Sequence, residues 1–291
     1  MELFQYPYMQ RALVGALIIG LAAPALGIYL VQRRLALIGD GVGHVALTGV
    51  GAGLLLNRSP VLVAVIVASL GAITIELVRA RGRTSGDLAL ALLFYGGIAG
   101  GVMLVGLSDS TSASLNAYLF GSLSTITPTD LTTIAVLGAA ILVTMLALRP
   151  ALFAICHDEE YARVSGLPVR ALNLLLAVAT AVTVTIAMRA VGVLLISALM
   201  VVPVAAAQQV TRGFRSTMTA AMTLGLFAAG SGVYVAANAD TAPGASVVLM
   251  AIASFAVVAL AGVGWRTLRR RRVAAADPSA VEPHEVVLSQ S

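Results

Sequence analysis

Asp40 and His44 stand out in a chain that offers little else for chemistry. They flank Gly41-Val42-Gly43 beside apolar sequence, where an ionisable group is costly enough to be read first as functional. Four residues apart, they share one face if the segment is helical. A carboxylate and an imidazole together suit a first-row divalent metal. Two ligands fall short of the four of a structural zinc site, but a site that a metal only passes through must also release it. The plainer alternative pairs Asp40 with Arg33 or Arg34 and leaves His44 at an interface.

The other acids are placed less tellingly. Glu76 precedes Arg79 by one helical turn, the spacing of a local ion pair. Asp87, Asp109 and Asp130 fall at the ends of apolar runs. Asp240 lies in Asn238-Ala239-Asp240-Thr241-Ala242-Pro243-Gly244, where it could meet an entering cation or shape the turn through its side chain. Asp158, Glu159 and Glu160 open a short helical pattern that Gly166-Leu167-Pro168 closes, with the acids at the favourable helix end. Such a helix could dock on a soluble partner or simply cover a bundle.

Several chemistries are excluded. All 18 basic side chains are Arg, so no P-loop or Schiff-base lysine is present. ATP chemistry would need another subunit. Cys156 is the single cysteine, which removes intrachain disulfides and CxxC sites. Gly-x-Ser-x-Gly does not occur. The net charge of +5 is spread between apolar segments, which argues against nucleic acid.

These residues must sit on membrane helices. The 291 residues are 59% hydrophobic and 11% charged, against about 25% charged in a soluble domain. Apolar runs long enough to span a bilayer fall at 12–31, 61–78, 88–107, 131–148, 171–188, 191–209, 217–236 and 245–264. A shorter Gly-rich run at 44–56 makes nine. Arginines test the order: alternate connections carry 15 of the 18, the exceptions being Arg11, Arg58 and Arg189. That alternation holds only if 44–56 crosses, with the N-terminus outside and the C-terminus cytoplasmic. The first run lacks the basic n-region of a signal peptide. The expected fold is an all-α polytopic bundle over 1–272, with a disordered cytoplasmic tail at 273–291 that includes His284.

Local signals set element ends. Ser59-Pro60 and Thr127-Pro128 read as N-cap plus proline at the first helical position. Pro150 ends a span, and Pro24 and Pro203 fall within spans. The connection 108–129 reads as a loop or a shallow helix. Gly39/Gly43, Gly49/Gly53 and Gly97/Gly101 have the spacing of close helix packing.

Four stretches, taken in order and spacing, resemble the membrane permease of zinc/manganese/iron ABC importers. The first runs from Met9-Gln10-Arg11-Ala12-Leu13 through Gln32-Arg33-Arg34 to Gly39-Asp40-Gly41-Val42-Gly43-His44. The second is Tyr118-Leu119-Phe120-Gly121 followed by Thr127-Pro128-Thr129-Asp130. The third spans Asp158 to Arg170 and continues from Val191 to Pro203, and the fourth spans Asp240 to Leu249. The resemblance covers about residues 9–265. It implies half of a dimeric channel, a second copy of the chain as its partner, a cytoplasmic ATP-binding subunit below and an extracytoplasmic metal-binding protein above. It places Asp40 and His44 on the pathway of the transported metal; Asp240 stays a candidate for the outer entrance on its place in the turn alone. It seats Asp158, Glu159, Glu160, Gly166, Leu167 and Pro168 on the ATPase. No cofactor is implied in this chain, and the location implied is the inner membrane. Ser114 stands where family members often carry an acid, and their His-rich loops are missing here. An ion-gradient-driven transporter is the alternative class, but no internal repeat or mid-span carboxylate supports it.

Overall fold

The computed structural model describes residues 6–80, 86–108, 112–122, 126–193 and 195–276. Of the described residues, 86% are helical. Among the described residues the elements are α1 (Pro7–Gln32), α2 (Ile38–Leu55), α3 (Pro60–Ala80), α4 (Gly86–Leu107), α5 (Ser112–Phe120), α6 (Pro128–Ala147), α7 (Arg149–His157), α8 (Glu159–Val164), α9 (Val169–Ala187), α10 (Ile196–Val210), α11 (Phe214–Ala239) and α12 (Pro243–Ala276).

Among the described residues eight helices are long and apolar enough to cross a membrane: α1, α2, α3, α4, α6, α9, α11 and the first part of α12. The total of eight plus one short matches the expectation, but the short one is different. The Gly-rich run begins earlier than hydropathy suggests, at Ile38, and makes an 18-residue helix. The run at 191–209 instead breaks, and α10 has 15 residues. Its first residues form a turn in which Gly192 has φ +91°. A hydropathy window cannot separate an apolar turn from an apolar helix, because Ala190, Val191 and Val193 are as buried as any core residue.

Burial sorts the helices into two layers. The windows of α1, α2 and α9 are mostly inside the protein, whereas α3, α4, α6 and α12 bury less than a third of theirs. α1 packs on α11, α6 and α10, while α2 packs on α4, α3 and α9. The outer helices carry the exposed large residues, among them Leu62, Ile66, Leu92, Val136, Val143 and Leu260. An apolar outer face suits hydrocarbon, which demands that backbone polar groups be satisfied within each helix.

Small residues set the closeness of α2 to its neighbours. A Cβ on Gly49 would lie 2.5 Å from Ala64 Cα of α3, and one on Gly97 of α4 would lie 2.6 Å from the His44 carbonyl carbon. Two of the three glycine pairs named from sequence thus lie at the α2–α3 and α2–α4 crossings. Gly39 and Gly43 face Ser197 and Val193 instead.

The local signals hold where they can be seen. Thr127 and Asp130 form a capping box at the start of α6, and Pro150 opens α7 after α6 has ended. Pro24 and Pro203 lie inside α1 and α10. The 108–129 connection contains α5, and 149–170 contains both α7 and α8. α12 continues to Ala276, past the boundary expected for the tail. Residues 277–291, with His284, lie outside the described residues, as do Asp109 and the side chains of Asp87 and Ser114.

Candidate functional site

Asp40 falls in the first turn of α2, where the helix dipole favours a carboxylate. It lines a cleft of 260 Å³ with Leu37 of the preceding turn and Leu90, Ala91, Phe94 and Tyr95 of α4. His44 follows one turn later and is 7% exposed. Its ring meets Phe94 edge-on, with centroids 4.3 Å apart. Its Nδ1 has no hydrogen-bond partner among the described residues. The residue spacing therefore reads correctly as one helix face, and the wall opposite that face comes from α4, which the sequence did not indicate.

The alternative partner for Asp40 is otherwise engaged. Arg33 donates through Nη1 to Asn173 Oδ1 at 2.7 Å and through Nη2 to Glu159 Oε2 at 3.1 Å. Arg34 lines a neighbouring cleft with Leu35, Leu37, Ile75, Arg79 and Leu90. Among the described residues no cation pairs with Asp40, and no three His, Cys, Asp or Glu side chains gather. What α2 offers a cation here is one carboxylate and, one turn on, one imidazole.

Ser197 is the second unexpected group. Its hydroxyl is buried and without a partner, 2.7 Å from where a side chain on Gly39 would start. By contrast Thr180, Thr183 and Thr185, equally buried in α9, each donate to the carbonyl four residues back at 2.7 Å. Serine in an apolar run gives no sequence signal of this difference.

A backbone junction closes around the other side of α2. Val193 N–H donates to Tyr118 O at 3.0 Å, and Ser122 N–H donates to Arg189 O at 3.2 Å. Side chains at Gly192 or Gly244 would run into Leu119 O and Val191 O respectively. Val193 also touches α2, 3.1 Å from the place of a Gly43 side chain. Burial pushes the Tyr118 phenol up in pKa, and Arg189 opposes that. Arg189 also pairs with Asp130 at 3.5 Å. Asp130 is thus a structural residue of the junction.

The remaining acids divide by role. Glu76 pairs with Arg79 at 2.8 Å, as its spacing suggests. Asp240 is the exposed C-cap of α11 with φ +49°.

α8 arranges its named residues unevenly. Asp158 caps the helix, its Oδ1 accepting from Tyr161 N–H at 2.9 Å. Glu159 is bound between Arg33 and Arg163. Glu160, Gly166 and Pro168 are exposed, and Leu167 packs on the core. The sequence reading passed over Tyr161 and Val164, which are 69% and 88% exposed. Behind α8, burial pushes the Cys156 thiol up to about 11, with its Sγ 3.7 Å from Tyr29 O.

The family model for the ABC 3 transport family matches residues 5–262. The chain belongs to the ABC 3 transport family. The manganese transport system membrane protein MntC of Halalkalibacterium halodurans is 30% identical to this family member over 257 residues, 88% of either chain. The high-affinity zinc uptake system membrane protein ZnuB of Haemophilus influenzae is 30% identical over 82% of this chain and 91% of its own. Among solved structures, PsaBC from Streptococcus pneumoniae in complex with Fab matches with a TM-score of 0.80 and 29% identity, covering 88% of this chain and 92% of that one.

Proposed function

We propose that this chain is the membrane-spanning permease of an ABC importer for a divalent transition metal: zinc, manganese or iron(II). The observation that carries the reading is Asp40 lining a cleft, with His44 one turn further along α2 and its Nδ1 without a partner among the described residues. The names of MntC and ZnuB support the substrate class. Two ligands per chain support a dimer, since two copies would bring four donors to one ion. Transient coordination of that kind lets the metal leave as well as enter.

In this reading the N-terminus lies outside and the C-terminus in the cytoplasm, in the inner membrane. A metal-binding protein delivers cargo on the outer side, and Asp240 lies near the entrance. A separate ATP-binding subunit docks below on α8, through Glu160, Gly166 and Pro168 together with the exposed Tyr161 and Val164. The chain itself performs no covalent chemistry and needs no resident cofactor. Residues 274–291 are dispensable.

The test is metal accumulation in cells that express the chain with its ATPase and binding protein. A rise in one metal that disappears with a hydrolysis-dead ATPase supports the reading and names the cargo. A rise that survives the dead ATPase overturns it in favour of gradient-driven transport.

A further inference from the structure

Arg33 ends α1 and grips two other helices at once. Its side chain is 9% exposed. One arm of the guanidinium reaches the buried Asn173 in α9 at 2.7 Å, and the other reaches Glu159 in α8 at 3.1 Å. Glu159 is 40% exposed and gives its other oxygen to Arg163 at 3.2 Å. A planar fork can span two acceptors in this way, whereas a lysine offers a single point charge.

The chain beyond Arg33 is closed by backbone hydrogen bonds. Arg33, Arg34 and Leu35 donate their N–H groups to Tyr29, Val31 and Leu30 carbonyls, the last at 2.8 Å. Arg34 holds φ +57° at the centre of this turn, the left-handed conformation that seals a helix end. Ile38 N–H then bonds back to Leu35 O at 3.0 Å, and α2 begins. Asp40 lies in its first turn. Between the Arg33 guanidinium and Asp40 there is a closed turn and a helix start.

We propose that Arg33 is a positioning residue that makes the start of α2 follow α8. Displacement of α8 acts on Glu159, through the ion pair on Arg33, and through the turn at 33–37 on the segment that carries Asp40. The Asn173 arm is the pivot, because α9 packs on both α2 and α3. The inference rests on the functional reading above, in which α8 meets the ATPase and Asp40 meets the metal.

A merely structural ion pair and a link differ in one readout. Loss of a structural pair lowers folded protein, or lowers transport and ATP hydrolysis together. Loss of a link lowers the metal moved per ATP hydrolysed. The experiment uses the full complex in proteoliposomes, with the metal that the wild-type protein accumulates. Arg33→Gln removes both arms. Arg33→Lys keeps the charge but not the fork, and it decides the question if Arg33→Gln folds poorly. The expected result is a fall of about fivefold or more in metal per ATP for Arg33→Gln, with a smaller fall for Arg33→Lys. An unchanged ratio in Arg33→Lys and Arg33→Gln, or parallel falls in transport and hydrolysis, overturns the proposal. A wild-type complex that moves no metal with ATP overturns the functional reading itself, whereas active wild type with an unchanged variant ratio overturns this inference alone.

Discussion

The first turns of α2 and the short helix α8 treat polar groups in opposite ways. Around α2, His44 Nδ1 and Ser197 Oγ are buried with nothing to bond, and Asp40 has no cationic partner among the described residues. Around α8, Asp158 caps the helix and Glu159 is held by two arginines, yet Tyr161 and Val164 stand out into solvent. Buried polar atoms are nearly always satisfied, so an exception calls for a visiting ion or water. Satisfied polar groups beside exposed apolar ones call for a protein surface. In the proposed function the two regions receive different guests, one small and charged, the other large and partly apolar.

The sharpest way to break that contrast is Asp40→Ala. Metal uptake is expected to fall by at least about tenfold, with the amount of folded protein in the membrane unchanged, because Asp40 makes no ion pair that the substitution would orphan. Uptake assays alongside membrane yield check it. Wild-type uptake in a well-folded Asp40→Ala protein would take α2 off the pathway.

Val164→Asp addresses the other region. An exposed valine can be changed without cost to the bundle, so the variant should fold and bind metal as before. Its association with the ATPase is expected to weaken by about tenfold, read by co-purification across a dilution series. Equal recovery of the ATPase would mean that α8 only covers the bundle.

The two regions were also legible in the sequence to different degrees. The Asp40–His44 spacing, the α8 boundaries, the Thr127–Asp130 cap and the Glu76–Arg79 pair are all features local to one helix, and helical periodicity reports those. What was not legible is long-range. Arg33 was a candidate partner of Asp40, seven residues away in sequence, but it bonds instead to Glu159 and Asn173, more than a hundred residues on. The wall that α4 builds with Phe94, and the exposure of Tyr161 beside the buried Ala162, depend on how helices pack. The turn at 188–195 left one trace, Gly192 in an apolar run, and composition alone could not weigh it.

Packing offers a subtler test of the α2 site. A Cβ at Gly97 would lie 2.6 Å from the His44 carbonyl carbon, while one at the neighbouring Gly96 meets nothing within 4 Å. Gly97→Ala must push α4 off α2 and is expected to destabilise by about 1–3 kcal/mol. Gly96→Ala should leave thermal unfolding in detergent where it was. Indistinguishable melting of the two variants would show that the α2–α4 approach is looser than these distances imply.

The smallest expected effect belongs to Gly166, just past the end of α8. Its φ is +82°, and a side chain there would meet nothing within 4 Å. The Gly97 argument is therefore inverted: there is room for a Cβ, but the backbone conformation is one that L residues resist. Gly166→Ala is expected to cost about 1–2 kcal/mol. The Leu167 N–H to Ala162 O bond at 3.1 Å that seals α8 depends on that left-handed turn, so the cost falls on the helix end and its docking surface. Asparagine tolerates this conformation better than alanine, and Gly166→Asn should recover much of the loss. The check is ATPase affinity for the three proteins, measured with the melting of the bundle. If the backbone is the cause, affinity orders as Gly, then Asn, then Ala, while the bundle melts alike in all three. If Asn and Ala weaken docking equally, the cause is instead a side chain intruding on the partner, and Gly166 serves the contact surface through its lack of a side chain rather than through its backbone.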